Sequence, residues 1–228
     1  MEKKVIISRY QEDLSWVLDL DCEHIVYNKG DTINCISRNP AYRINSIDLE
    51  NLGRESHTYL EFIISNYGNI KPSCTYCFLH GQPFKPHNVT IEQINSVGKI
   101  SDYTPFGNMV FEHEGVLGPI GNNFPRGIPL YEFCDMLFKD GPVNKEYTNR
   151  FYLGGQFAVP GYLILNRDVQ FYKFMQRALL KKNPIEGHIM ERIWHIIFDG
   201  NTQDRFTVYA KSRGACLGVG ANWGGVIE

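Results

Sequence analysis

The chain opens on a short apolar run, Val5-Ile6-Ile7, inside residues 4–8, and its β-branched content predicts a buried strand. Residues 12–18 follow with Leu14, Val17 and Leu18 at i, i+3 and i+4, the spacing of one helix face. Residues 24–28 read as a second strand, closed by the turn Lys29-Gly30-Asp31. Such a β-α-β start favours a parallel sheet with helices packed on it. After a polar stretch the pattern turns helical from Ser56, with Tyr59, Leu60, Ile63, Ile64 and Tyr67 on one stripe. Residues 74–80 are apolar enough for a central strand, and Gly81-Gln82-Pro83 breaks it.

Between residues 101 and 150 the spacing of Gly and Pro predicts an irregular excursion with one short helix near 130–138. Strand character returns over 151–159, around the pair Gly154-Gly155. Residues 170–182 form an amphipathic helix carrying Phe171, Phe174, Met175, Ala178 and Leu179, and 186–198 form another. The glycine-rich residues 214–225 read as a loop or tail. With neither an internal repeat nor a low-complexity tract, a single α/β domain fits the 228 residues better than two.

Charge removes one class of partner. With 23 basic and 25 acidic side chains the formal charge is −2, so an electrostatic nucleic-acid surface is not expected. A signal peptide needs an apolar run of about 7–15 residues and a membrane span about 20, which predicts a cytoplasmic protein with no membrane span. Six cysteines in such a chain are expected as free, mostly buried thiols. Cys74 and Cys77 form a lone CxxC without a second pair for zinc, and strand geometry would point them to opposite faces. The aromatic load, Phe 14, Tyr 13 and Trp 3, serves either a core or the stacking of bases and sugars.

Four places could carry chemistry. On the last helix Ile189, Met190, Ile193, Ile196 and Ile197 share an apolar arc, with His188, Glu191, Arg192 and His195 opposite. That is what any surface helix shows; chemically, Glu191 close to His195 could be a positioned general base. Asn51-Leu52-Gly53-Arg54-Glu55 runs into a helix, where free N–H groups favour anions and Arg54 could grip phosphate; an ordinary loop-to-helix junction reads the same way. His80, Gln82 and His87 sit just past the predicted central strand, the edge where open α/β sheets bind ligands, although turn-capping histidines would look alike. Gly155 offers backbone to a substrate and Gln156 a bidentate amide, unless the glycines only mark a bulge. G-x-G-x-x-G, Walker and G-x-S-x-G signatures are missing.

An ordered set of short motifs links these places. It runs Ser8-Arg9-Tyr10-x-Glu12-Asp13-Leu14-Ser15-Trp16, Tyr27-Asn28-Lys29-Gly30, Asn51-x-Gly53-Arg54-Glu55-Ser56-His57-Thr58-Tyr59-Leu60 and Phe78-Leu79-x-Gly81-x-Pro83. Gly155-Gln156-Phe157-Ala158-Val159 and Glu191-Arg192-x-Trp194-His195-x-x-Phe198 complete it. Across residues 5–200 the chain resembles a family of fungal, algal and large-virus proteins known only as a domain of unknown function. That family is in turn similar to GT-A-type glycosyltransferases, whose Rossmann-like half binds a nucleotide sugar. The Asn-x-Gly-Arg-Glu step is similar to the Gly-Arg-Asp step of rhamnan-type transferases.

The resemblance implies a GT-A-like, mostly parallel central sheet flanked by helices, with residues 1–100 as the nucleotide-sugar half and 101–228 as the acceptor half. It implies transfer from a nucleotide-diphospho sugar, a UDP-sugar favoured, to a hydroxyl of a glycan or glycoprotein. Arg9, Tyr10 and Asp13 would line the nucleoside pocket, and Asn51, Gly53 and Arg54 would approach the diphosphate. His80 and Gln82 would meet the sugar or a metal, Gly155 and Gln156 the acceptor, with Glu191 and His195 as the catalytic pair. GT-A enzymes hold Mn²⁺ or Mg²⁺ through an Asp-x-Asp after a central strand. Here that strand ends in His80-Gly81-Gln82, and the Asp-x-Asp at Asp19-Leu20-Asp21 lies before the second strand. Either the metal is bound differently, through His80 or Asp102 for instance, or the enzyme is metal-independent. Two other readings stand beside the transferase: a non-catalytic carbohydrate- or nucleotide-binding module, and a metal-dependent hydrolase using the histidines.

Overall fold

A computed structural model describes residues 2–33, 44–84, 87–112, 130–139, 142 and 149–206. Of the irregular excursion expected over 101–150, residues 113–129, 140–141 and 143–148 lie outside the described residues, as do the glycine-rich tail at 214–225, Cys35 and Cys216; its first part forms two short strands, Thr104–Pro105 and Met109–Glu112.

Eight strands are present among the described residues: β1 (Lys3–Arg9), β2 (Glu23–Asn28), β3 (Ser46–Asp48), β4 (Thr75–His80), β5 (Thr104–Pro105), β6 (Met109–Glu112), β7 (Asn149–Tyr152) and β8 (Phe157–Pro160). The helices are α1 (Arg54–Asn66), α2 (Ile91–Ser96), α3 (Leu130–Leu137), α4 (Gly161–Leu165), α5 (Val169–Ala178) and α6 (Ile185–Ile197). Six strands form one sheet in the order β3-β2-β1-β4-β8-β5, and β6 and β7 form a separate pair. The run β3-β2-β1-β4 is parallel, whereas β8 lies antiparallel between β4 and β5.

The sheet is thus mixed, not parallel throughout. The helical connection through α2 carries the chain from β4 to a β5 parallel with it. β8 enters from β7 through the Gly154–Gly155 turn and fills the place between them with reversed direction. The expected strand over 151–159 is two strands in two sheets for the same reason: Gly154 and Gly155 adopt φ of 91° and 56° and bend the chain out of register. The first expected helix is only a 3₁₀ segment, Ser15–Asp19, because Asp13 accepts from the Ser15 N–H and hydroxyl and starts a tight local turn.

Alternation along the strands splits the core into two layers. Ile6, Phe78, Phe157 and Val159 face a layer built with α1, α3, α5 and α6. Val5, Ile7, Cys77, Leu79 and Ala158 face the opposite layer, made with the 3₁₀ segment and α2. Cys74 and Cys77 separate between these layers, as strand geometry requires, and both are free thiols. The aromatic load is spent largely in the first layer: Tyr59, Phe78, Phe157, Trp194 and Phe198 pack ring to ring at 5.1–6.0 Å. Among the described residues no helix is long and apolar enough to cross a membrane.

Candidate functional site

β1 is the pivot of the sheet. β2 and β3 follow it on one side and β4 returns on the other, so the direction of winding reverses between β1 and β4. The carboxyl ends of those two strands leave a crevice, the usual binding position in an open α/β sheet. His80 ends β4 level with Ser8 of β1, whose hydroxyl donates to Thr58 Oγ1 of α1 at 2.9 Å.

The loop before α1 is built under strain. Gly53 and Arg54 both take left-handed φ, 60° and 55°. A side chain at Gly53 would put its Cβ 2.6 Å from His57 Cβ and 2.7 Å from the Leu179 carbonyl oxygen. Lys29, 8% exposed, holds the loop from below: its ammonium donates to the carbonyls of Leu52 and Arg54 at 2.6 and 2.5 Å. Burial brings that amine down to about 8, against the pull of Glu55 in the other direction.

From that loop Arg54 crosses to α6, where Nη1 meets His188 Nε2 at 2.9 Å. Its stem lies along the helix where Gly187 leaves room, a Cβ there being 3.0 Å from Arg54 Cδ. Glu55 stands beside it, 3.5 Å from Arg54 Nε. Burial alone would raise the Glu55 carboxyl; His80, Arg54, its own backbone N–H and Lys29 together bring it below the ordinary carboxylate range. Burial also lowers the His80 imidazole, with Glu55 opposing, and His80 Nε2 is enclosed with no hydrogen-bond partner among the described residues.

The ring continues around the crevice. His80 and His87 pack edge to face at 5.0 Å. Gly154 lies against His87, so close that a Cβ would be 2.5 Å from Nδ1. The Gly154 N–H donates to Glu191 Oε1 at 2.5 Å, and Glu191 is one helical turn beyond His188. His188, Arg54, Glu55, His80, His87, Gly154 and Glu191 therefore form a closed circuit from four separate stretches of chain. The polar side of α6 is not a solvated face: His188 and Arg192 are 8% and 6% exposed, and the Arg192 guanidinium lies 4.6 Å from the Phe151 ring.

Other expected site residues have different duties. Arg9 donates to the Glu12 carbonyl, to Asn28 Oδ1 and to the Asp31 carbonyl, tying the ends of β1 and β2 together. Asp13 closes a local turn onto Ser15, accepting from its N–H and its hydroxyl, which uses both carboxylate oxygens. Gln156, 2% exposed, is a clip: Oε1 accepts from the His80 N–H and Nε2 donates to the Pro83 carbonyl. Gly53 is filled from behind by Leu179 and holds the loop's shape. Tyr10, Asn51 and Gln82 are exposed at the crevice end of the sheet. Gly155 borders Glu191 and Trp194 with ordinary contact distances, 3.8 Å from a built Cβ. His195 is one turn too far along α6: its ring packs on Tyr152, and burial with Arg150 nearby brings it down to about 4, against the pull of Asp199.

A metal shared by His80 and Asp102 does not fit. Thr104 pairs with Ala158, which pairs with Cys77, so Asp102 lies level with the start of β4 while His80 ends it. Tyr162, just past β8, bonds the Ser101 carbonyl at that same far end. Asp19 and Asp21 are at that end too, with Asp21 paired to Lys3 at 3.0 Å. Among the described residues no three His, Cys, Asp or Glu side chains are grouped to hold a metal ion.

Glu55, Lys29 and Glu12 were not singled out by residue pattern. Glu12 lies at the switch point, its Oε2 accepting the Tyr10 and Gln11 N–H groups at 2.6 and 3.1 Å. The available signal was position: each flanks a predicted strand end or helix start.

A family model described as "Protein of unknown function (DUF3431)" matches residues 5–104 and 131–216. The chain belongs to this family. The matched segments contain every member of the polar circuit, so the circuit is part of the DUF3431 domain itself. No curated protein and no solved structure matches the chain.

Proposed function

We propose that this DUF3431 domain is a GT-A-type glycosyltransferase that uses a nucleotide-diphospho sugar, a UDP-sugar favoured, and transfers to a hydroxyl of a glycan or glycoprotein. The observation that carries the reading is the circuit at the β1–β4 switch point, which combines a cationic wall with an anchored carboxylate. Arg54, on a loop clamped by Lys29, faces the side suited to a diphosphate. Glu191 faces the Gly154–Gly155 turn, where an acceptor could lie against bare backbone.

In this mechanism Glu191 Oε2 takes the proton of the acceptor hydroxyl as that oxygen attacks the anomeric carbon. The bond to the nucleoside diphosphate breaks, and Arg54 meets the charge that develops on the leaving oxygen. Oε1 remains on the Gly154 N–H, so the carboxylate is aimed and need not reorganise. Exposed Tyr10 at the end of β1 offers a ring for the base, with Arg9 fixing the loop beneath it. No step is assigned to His195, and none to a metal.

The test is a thermal-shift panel of nucleotide sugars followed by assay for release of free nucleotide. Stabilisation by a nucleotide sugar with slow nucleotide release is expected. Stabilisation without any release or transfer would make the domain a binding module, and no stabilisation by any nucleotide would reject the proposal.

A further inference from the structure

The crevice already contains the charge that a divalent cation would supply. Mn²⁺ and Mg²⁺ take several oxygen ligands in near-octahedral arrangement, usually carboxylates together with phosphate. Among the described residues, the donors at the end of β4 are the imidazoles of His80 and His87 and the exposed amide of Gln82. The carboxylates around it already have partners: Glu12 Oε2 accepts from two backbone N–H groups, Glu55 is held by its own N–H and Arg54, and Glu191 Oε1 accepts from the Gly154 N–H. A divalent ion there would also sit against the positive charges of Arg54 and Lys29, which burial of Lys29 leaves poorly screened.

Arg54 is prepared for an anion in several independent ways. Its left-handed backbone is the strained step of the loop, and its carbonyl is fixed by Lys29. Its stem runs in the space left by Gly187, and Nη1 is held by His188. The side chain is nevertheless 40% exposed, and Nη2 has no hydrogen-bond partner among the described residues. With Nη1 on His188 and Nε beside Glu55, the guanidinium is fixed at two nitrogens and keeps Nη2 to donate to a diphosphate oxygen.

Resting on the transferase reading, we infer that the donor's diphosphate is bound by Arg54, buttressed by His188 and Lys29, without a bridging divalent cation. Arg54 takes the electrostatic part that the metal plays in metal-dependent relatives of this chemistry, both in ground-state binding and at the leaving oxygen.

Calorimetric titration of the full chain with UDP and with inorganic pyrophosphate, in EDTA and in Mn²⁺, tests this. Both ligands should bind equally well in the two media, and Arg54→Asn should weaken both by about ten-fold or more. Asn is chosen because it tolerates the left-handed φ at that position. Gly187→Ala keeps the guanidinium but crowds its stem, and should weaken binding while leaving α6 intact. It decides the matter if Arg54→Asn does not fold. Binding that requires Mn²⁺, or affinity unchanged in both variants, overturns the inference and leaves the transferase reading standing. Pyrophosphate bound in EDTA with no nucleotide bound keeps the anion site and removes the transferase reading. Binding of neither ligand in either medium removes both.

Discussion

Arg54 and His188 are 134 residues apart in the chain and meet through a 2.9 Å contact between Nη1 and Nε2. A guanidinium has only donors, so His188 Nε2 must accept and the ring is neutral with its proton on Nδ1. Burial, Arg54 and Arg192 all push that imidazole below its ordinary range. The contact joins the strained loop before α1 to the helix that carries Glu191, and fixes one side of the crevice relative to the other. Long-range ¹H–¹⁵N spectra should show His188 as the Nδ1–H tautomer at neutral pH. In Arg54→Asn its pKa should rise; an unchanged value would mean that the guanidinium is not its neighbour in solution.

Stability should fall on acidification, beginning while most carboxylates are still charged. Burial, aided by Lys29 and opposed by Glu61, brings His57 down to about 4, and His195 lies similarly low. The unfolded chain protonates these groups near 6.5, so between that value and about 4 it binds more protons than the native state. The stability they contribute is complete above pH 6.5 and is lost as the pH falls through about 4. For His57, 7% exposed, the loss amounts to about 3 kcal/mol. Urea denaturation across this window should show a flatter profile in His57→Leu; an identical slope would remove His57 as a source.

Two glycines with the same sign of φ should answer differently to alanine. Gly53→Ala meets the strain of φ 60° and collisions with His57 and Leu179, and should cost about 2–4 kcal/mol. Gly155→Ala meets open contacts at 3.8 Å and only the backbone strain at φ 56°, about 1 kcal/mol. Equal losses in chemical denaturation would contradict the packing assigned to Gly53.

Glu191→Gln tests the base. The amide oxygen can still accept from Gly154, so loop geometry and donor binding should survive while transfer falls by about 10²–10⁴. Retained turnover would take Glu191 out of the role. His195→Asn, one turn away, should leave turnover within a few-fold of the parent, as its surroundings are Tyr152, Arg150 and Asp199.

Arg167 provides a structural contrast to Arg54. It is 5% exposed, paired with Asp204 at 3.1 Å, and donates to the carbonyls of Ile196, Ile197, Asp199 and Thr202, closing the end of α6. Arg167→Met should cost about 3–5 kcal/mol, since it leaves Asp204 buried without its guanidinium. If its melting temperature matched the parent's, the cap would not be holding α6.

Local pattern carried the long elements. β1, β2 and β4 were legible as apolar runs, and α1, α5 and α6 as helical periodicity, because each buries a regular stripe, while α3 was legible only as a short helix within a Gly- and Pro-rich stretch. β3 was not, since all three of its residues are exposed and leave no alternation to read. α2 is only six residues long, and its capping box, Thr90 with Gln93, was the one local mark of it. The break at Gly154–Gly155 was visible as a glycine pair, but not its consequence of sending β7 and β8 into different sheets.

The α/β class, the Gly53–Arg54 step into a helix and the set of polar residues from which a site could be drawn are all readable along the chain. These depend on neighbours within a few positions, where propensity and period act. Which of those residues meet depends on how distant segments pack, and is visible in the folded arrangement alone. That arrangement placed Arg54 on His188, enclosed Glu55 beside His80, and assigned Gln156 to a clip. It also set Asp102 at the opposite end of the sheet from His80. Such pairings are set by strand order and by how α6 lies across the sheet, and residues distant in the chain carry no local trace of that.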